Sequence, residues 1–223
     1  MQFDKVEIVP KNNTENYTFK NNIVLNSEIK AFRVKHANKF TEFLINKDLV
    51  LQEKNFLLNV KKLYSQSVKA FLDSLKQGYP FNAYEAFLSY EVSLNQDCYF
   101  SYFYDTYTFT GGAHGNTIRK AKTYSLKTGR ALSLQYFFKR GAGFARFVLE
   151  LILAQAQENF EKDPYIYFED YKNLIVKNFN GENFYLTPEG IVIFFNQYEI
   201  AHYVPGMPKF LIPYSKTDFV LSC

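Results

Sequence analysis

Apolar and polar residues alternate along two early stretches, residues 2–9 and 17–34, and this period-two pattern predicts strands there. Between them the polar run KNNTEN (11–16) reads as a turn, and the Asn-x-Thr matches at Asn12 and Asn16 read as accidents of its composition. The period then changes. Leu57, Val60, Tyr64, Val68, Phe71 and Leu75 recur at three- and four-residue steps, which predicts the apolar stripe of a long helix stopped by Gly78 and Pro80. Strands return at about 82–95 and 97–109, joined by a tight turn at Asn95-Gln96-Asp97. In the second of these, Cys98, Phe100, Tyr102 and Tyr104 point one way and Tyr99, Phe103, Tyr107 and Phe109 the other. Aromatics on both faces suit neither to open water. One face is expected to pack under the long helix, and the other to be covered by the second half or left for a partner.

A strand at 117–126 ends in Lys127-Thr128-Gly129, and Ser133 starts a short helical piece. Residues 143–161 carry a second amphipathic pattern, with Phe144, Phe147, Val148, Leu151, Ile152 and Gln155 on one face and Pro164 just past its end. A hairpin over 183–187 and 190–196 turns at Pro188-Glu189-Gly190, and 207–213 reads as a last strand. The expected class is α+β: an antiparallel sheet with two main amphipathic helices packed on it.

Composition removes several function classes. With 22% charged and 47% hydrophobic residues over 223 positions, the chain can bury an ordinary core. The net charge of +4 comes from scattered lysines, so no nucleic-acid partner is expected. MQFDKVEIVP has no apolar leader core and no long apolar run follows, so no membrane segment is expected in this chain. That leaves both a cytoplasmic protein and the mature part of an exported or membrane-anchored one. Cys98 and Cys223 do not make a disulfide framework and are read as a buried strand cysteine and a free terminal thiol. No metal-ligand spacing and no cofactor motif occurs, so neither metal nor cofactor is expected. The 18 Tyr and 24 Phe, with no Trp, fit an AT-rich coding bias as well as they fit a function.

Candidate chemistry is confined to two segments. In FTGGAHGNT (109–117), Gly111, Gly112 and Gly115 allow positive φ or a close backbone approach, and His114 offers a base, a ligand or an anchor for the loop. Anchoring is the plainer role for a lone histidine in a glycine turn. In NQYEIAHYVPG (196–206), Tyr198, Glu199, His202 and Tyr203 follow a strand that reads as buried. Glu199 suits either a general acid or base, or a buried acceptor for glycine-loop amides. No GxSxG elbow or GxxxxGK[ST] loop is present, and Ser125 and Ser133 read as turn or cap residues.

TGGAHG (110–115), YSLKTGRALSL (124–134), FYLTPEGIVIFFNQYEIAHYVPG (184–206) and FLIPYS (210–215) together resemble the RsiV-type extracellular domain. That domain belongs to an anti-sigma factor that senses lysozyme, and it is similar to the accessory domain preceding the catalytic module of PdaC-like peptidoglycan deacetylases. The resemblance makes 1–108 the variable half and 109–223 the better-matched half of one compact unit. It implies an exported or membrane-tethered α+β domain that, in its best-understood member, binds lysozyme without catalysis. His202 stands where the family pattern has proline (YEIAPY). This chain carries no anchor segment, sigma-binding tail or deacetylase module, so those activities do not transfer with the resemblance.

Three functions follow as expectations. The first is a non-catalytic extracytoplasmic module binding a lysozyme-like protein or cell-wall partner through Gly111, Gly112, His114, Tyr198, Glu199 and Tyr203. The second is an envelope-directed hydrolase with His114 as base, Glu199 as its partner, and glycine-loop amides facing an oxyanion. The third is a wall-glycan-binding module with tyrosine stacking, which calls for an exposed tyrosine row on 97–109.

Overall fold

The computed structural model describes residues 4–138, 141–217 and 219–223. Residues 2 and 3 of the first predicted strand lie outside them. The α+β class holds. A five-stranded sheet runs in the order β1(Glu7–Phe19), β2(Asn22–Lys35), β3(Tyr84–Gln96), β4(Tyr99–Phe109), β5(Asn116–Ser125). A three-stranded sheet follows, β6(Phe184–Leu186), β7(Gly190–Phe194), β8(Lys209–Pro213). The helices are α1(Lys39–Gln77), α2(Phe144–Lys162) and α3(Tyr171–Asn178), the last of which lacked a sequence signal. One pair in the larger sheet is parallel: Leu25–Lys30 of β2 lie beside Tyr84–Ser89 of β3, and α1 is the crossover between them. The chain forms two compact units that divide strands β3, β4 and β5 between them.

The long-helix unit comprises Val6–Glu91 and Tyr104–Ile118. Its KNNTEN segment is strand and not turn. Lys11 to Asn16 pair in register with Ala31 to Asn26, and the reversal comes at Lys20-Asn21, both with positive φ (48° and 64°). Two successive left-handed residues match the right-handed twist of a hairpin. The polar run is tolerated because β1 is an edge strand: main-chain bonds to β2 hold it while its side chains stay wet. Asn12 and Asn16 both sit on this strand.

Helix α1 starts earlier than its apolar stripe suggested. The Asn38 side chain accepts from the amides of Phe40 and Thr41 at 3.0 and 3.3 Å, and Gly78 closes the helix in the left-handed region (φ 73°). The buried line is Ile45, Leu49, Glu53, Phe56, Val60, Leu63, Ser67, Phe71 and Ser74. Of the expected stripe only Val60 and Phe71 are buried; Leu57, Tyr64 and Val68 are half-buried, and Leu75 points to solvent. Ser67 and Ser74 turn their hydroxyls onto carbonyls one turn back, so polar residues occupy core positions at little cost. Glu53 is a buried charge held by Arg33, Nη2 to Oε2 at 2.9 Å, and by Lys11 at 3.0 Å. Leu25, Ile29, Ala31, Ala86 and Leu88 complete the core under Phe56, Val60 and Leu63.

The two-helix unit comprises Met1–Lys5, Val92–Phe103 and Arg119–Cys223. Its core packs α2 and α3 with the small sheet: Val148, Ile152, Ala156 and Ile175 meet Leu186, Ile191, Ile193, Phe210 and Ile212. The β3–β4 reversal is at Asp97-Cys98 (φ 52° and 65°), two residues further along than the expected turn began. Cys98 is therefore a turn residue, and it is disulfide-bonded to Cys223 with the two Cα atoms 5.1 Å apart. The reading of two free thiols is corrected: a separation of 125 residues carried no local signal, and only folding brings the chain end to this turn. Tyr99 to Phe103 are all buried, and Tyr104 to Phe109 are half-buried, so β4 presents no exposed tyrosine row. Buried Ser101 accepts from the Leu186 amide at 2.9 Å and is hydrogen-bonded to the Thr123 hydroxyl at 2.8 Å, which fixes β6 against β4 and β5.

Candidate functional site

The glycine loop belongs to the long-helix unit and connects β4 to β5. Its glycines serve different ends. Gly111 has φ 86°, a conformation that strains any other residue. Gly115 is needed for space: a β-carbon there would fall 2.3 Å from the Tyr107 ring, itself stacked on Phe87 with centroids 5.5 Å apart. Gly112 has open space around it. His114 is exposed, and its Nδ1 lies 3.0 Å from the Gly115 carbonyl oxygen, so the ring braces the turn it sits in.

The second segment lies in the two-helix unit. After β7 the backbone reverses in a β-turn from Asn196 to Glu199, closed by the Glu199 amide donating to the Asn196 carbonyl at 3.2 Å. Tyr198 occupies its third position with φ 65°. Positive φ at that position alone marks a type II-like turn, where glycine or asparagine is the usual occupant. A tyrosine there costs about 1–2 kcal/mol and persists only because the surroundings over-determine it. They do so through three hydrogen bonds. The Asn196 amide donates to Glu199 Oε2 at 2.7 Å, the Arg119 amide donates to Asn196 Oδ1 at 2.7 Å, and Asn178 Nδ2 donates to the Glu199 carbonyl at 2.6 Å.

Of the two roles the sequence allows Glu199, general acid or base or acceptor for glycine-loop amides, the structure shows an acceptor, for the Asn196 amide of its own turn. Burial pushes its carboxyl above the ordinary 4.5, and the Asn196 N–H offsets part of that rise. The structure brings Tyr198 and Tyr203 together, stacked with centroids 6.1 Å apart and planes 28° from parallel. Tyr198 is exposed, Tyr203 half-buried, and Val204 next to it is 93% exposed. His202 is exposed and meets the Phe168 ring edge-on at 4.5 Å. The Phe168 amide donates to the Ile200 carbonyl at 3.0 Å, tying the 163–168 segment, with its exposed Tyr165, to this loop.

Residues the pattern did not single out complete the support. Arg119 is buried, its guanidinium 3.8 Å above the Phe103 ring, and Phe103 packs on Tyr185 at 4.8 Å. A lone arginine in a polar-looking strand has no periodic signal. Phe168 and Tyr165 lie in the irregular run DPYIYFEDY, where neither period applies. Among the described residues no group of three or more His, Cys, Asp or Glu side chains could hold a metal ion. No helix among them is long and apolar enough to cross a membrane. The arrangement offers exposed aromatic side chains on a loop whose first turn is hydrogen-bonded from three sides, with its one carboxylate engaged by main chain.

Comparison with known proteins matches this architecture to its relatives. Residues 11–117 match the family model described as Deacetylase PdaC, and residues 136–215 match the model of a protein of unknown function, DUF3298. A solved DUF3298-family structure from Bacteroides fragilis shares the fold with TM-score 0.69 at 17% identity, covering 96% of this chain and 93% of its own. A DUF3298-family protein from Pseudomonas aeruginosa PAO1 superposes with TM-score 0.60 at 19% identity, covering 96% and 92%. No curated protein matches the chain. The first half of the chain is thus similar to the PdaC model and the second to the DUF3298 model, and the whole shares the fold of the two DUF3298-family structures.

Proposed function

We propose that the chain is a non-catalytic extracytoplasmic binding module that docks a lysozyme-like protein through the 196–206 loop of its DUF3298-like half. The observation that carries this reading is Tyr198: a tyrosine held at a glycine-type turn position, exposed, and stacked on Tyr203. Strain kept at an exposed aromatic is the pattern of a side chain positioned for contact. Tyrosine supplies large, stiff contact area with little entropy to lose on binding. Val204 and the Phe168–His202 pair would extend the same apolar contact. The Cys98–Cys223 disulfide supports an extracytoplasmic location, because such bonds persist in oxidising compartments. The hydrolase reading is less favoured, since the Glu199 carboxylate already accepts from the Asn196 amide. The glycan reading lacks the tyrosine row it requires on β4.

Calorimetric titration with lysozyme tests the proposal. The parent chain is expected to bind, and a Tyr203→Ala variant of unchanged melting temperature is expected to bind at least tenfold more weakly. Absence of binding by the parent would sink the lysozyme assignment, and equal binding by the variant would remove this loop from the interface.

A further inference from the structure

Helix α1 has two stripes. Its inner one is the core line described above. Its outer one, at the same three- and four-residue steps, is Phe40, Phe43, Lys47, Leu51, Lys54, Leu58, Lys61, Ser65 and Lys69, and every member is exposed. The four apolar members stand between 53% and 63% accessible and recur along one line rather than singly. The ionic members are all lysines. Among the described residues none of these lysines is in an ion pair, and no carboxylate belongs to the stripe. Phe43, Lys47, Val50, Leu51 and Lys54 also line one shallow depression. At 1.5 Å per residue the row from Phe40 to Lys69 extends about 43 Å.

We infer that this outer stripe of α1 is a docking face for an anionic lipid bilayer surface. Exposed lysines with no carboxylate partner attract an anionic counterpart, and the interleaved Phe and Leu gain by leaving water for a medium that accepts apolar side chains. The headgroup boundary of an acidic bilayer supplies both together. A single line of contacts this long also matches an extended flat surface better than the curved face of a small globular partner. The inner stripe keeps the helix folded on β2 while the outer one is engaged, so docking needs no unfolding. The inference concerns the PdaC-like half and stands apart from the lysozyme reading, which concerns the loop of the DUF3298-like half.

The test is co-flotation of the full chain with vesicles of phosphatidylcholine containing about 30 mol% phosphatidylglycerol, against phosphatidylcholine alone, at about 0.1 M salt. Binding to the acidic vesicles is expected. Lys47→Glu/Lys54→Glu/Lys61→Glu should lower it on the order of a hundredfold. Phe43→Ser/Leu51→Ser should lower it about tenfold. Since the chain has no tryptophan, Leu51→Trp provides a single tryptophan, excited at a wavelength its 18 tyrosines do not absorb, whose emission should shift to the blue with acidic vesicles only. All the substituted side chains are exposed, so unchanged thermal unfolding is expected, with Lys→Gln versions as the milder alternative if the glutamates disturb the fold. The inference is overturned if the parent chain does not float with acidic vesicles, or if the serine variant floats as well as the parent. It is also overturned if the Leu51→Trp emission does not move, or if soluble polyglutamate is bound while vesicles are not, the result an acidic protein partner would give.

Discussion

A β-carbon on Gly115 would lie 2.3 Å from the ring of Tyr107, a ring already stacked 5.5 Å from Phe87. Glycine here makes room for an aromatic rather than supplying an unusual φ. Gly115→Ala is expected to cost about 1–3 kcal/mol by pushing the Tyr107 ring off Phe87, as overpacking does elsewhere. Gly112→Ala, in open space, should be near neutral. Urea unfolding of both, with Tyr107→Ala added to each, provides the check. The Gly115 penalty should largely vanish once the ring is gone, and equal costs for both glycines would disprove the steric account.

The disulfide closes a separation of 125 residues. Replacing both cysteines by serine, or reducing the parent chain, should lower unfolding free energy by about 2–5 kcal/mol. Denaturation with and without dithiothreitol measures it, and the serine variant should lose its sensitivity to reductant. A parent chain indifferent to reductant would contradict the bond's structural role.

One buried carboxyl, Glu53, and one half-buried, Glu199, are expected to respond to pH in opposite senses. Burial pushes Glu53 up, but hydrogen bonds from Arg33 and Lys11 outweigh it and leave the carboxyl below the ordinary 4.5. A depressed folded value means stability that is present above pH 4.5 and lost as pH falls through the folded value. Glu53→Gln should therefore cost on the order of 2 kcal/mol at neutral pH, below the value for a fully buried pair because Lys11 stays in water. That cost should shrink in acid.

Glu199 is raised, chiefly by burial, so its ionised form weighs against the fold at neutral pH and that burden lifts as pH falls toward 4.5. Glu199→Gln keeps an acceptor for the Asn196 amide, and should be as stable as the parent or more so at pH 7. Stability curves over pH 3–8 on both Gln variants would reveal the opposite slopes, and parallel curves would refute the assignment.

At Tyr198, binding and folding should separate. Glycine suits φ 65°, so Tyr198→Gly relieves about 1 kcal/mol of strain and returns a similar amount through a looser unfolded chain. Stability should be nearly unchanged while lysozyme titration loses its heat. A variant that binds as the parent does would show that the strained tyrosine serves the turn alone.

Most elements were legible in the pattern of residues because their periods are local: α2 with Phe144 to Ile152, the β6–β7 hairpin around Gly190, and β5 after the glycine loop. The turn residues at Lys20-Asn21 and Asp97-Cys98 were misplaced by a few positions, since main-chain pairing across an edge can hold even a polar run like KNNTEN in a strand. In α1 the true core line passes through Glu53, Ser67 and Ser74 and cannot be found by hydrophobicity alone. Partners distant in the chain, Lys11 and Arg33 for Glu53, satisfy what the local pattern would forbid.

The sequence by itself determined the α+β class, the two segments bearing candidate chemistry, and the identity of the residues in them. Tertiary structure decided what those residues do. It turned two cysteines 125 residues apart into a bond, committed Glu199 to an amide of its own turn, and buried the aromatics of β4 from Tyr99 to Phe103. It also set Tyr198 in a conformation its side chain disfavours. Periodicity reports which face of an element seeks other apolar groups. The partner that satisfies a given polar atom or backbone angle is a long-range property, settled only when distant segments meet.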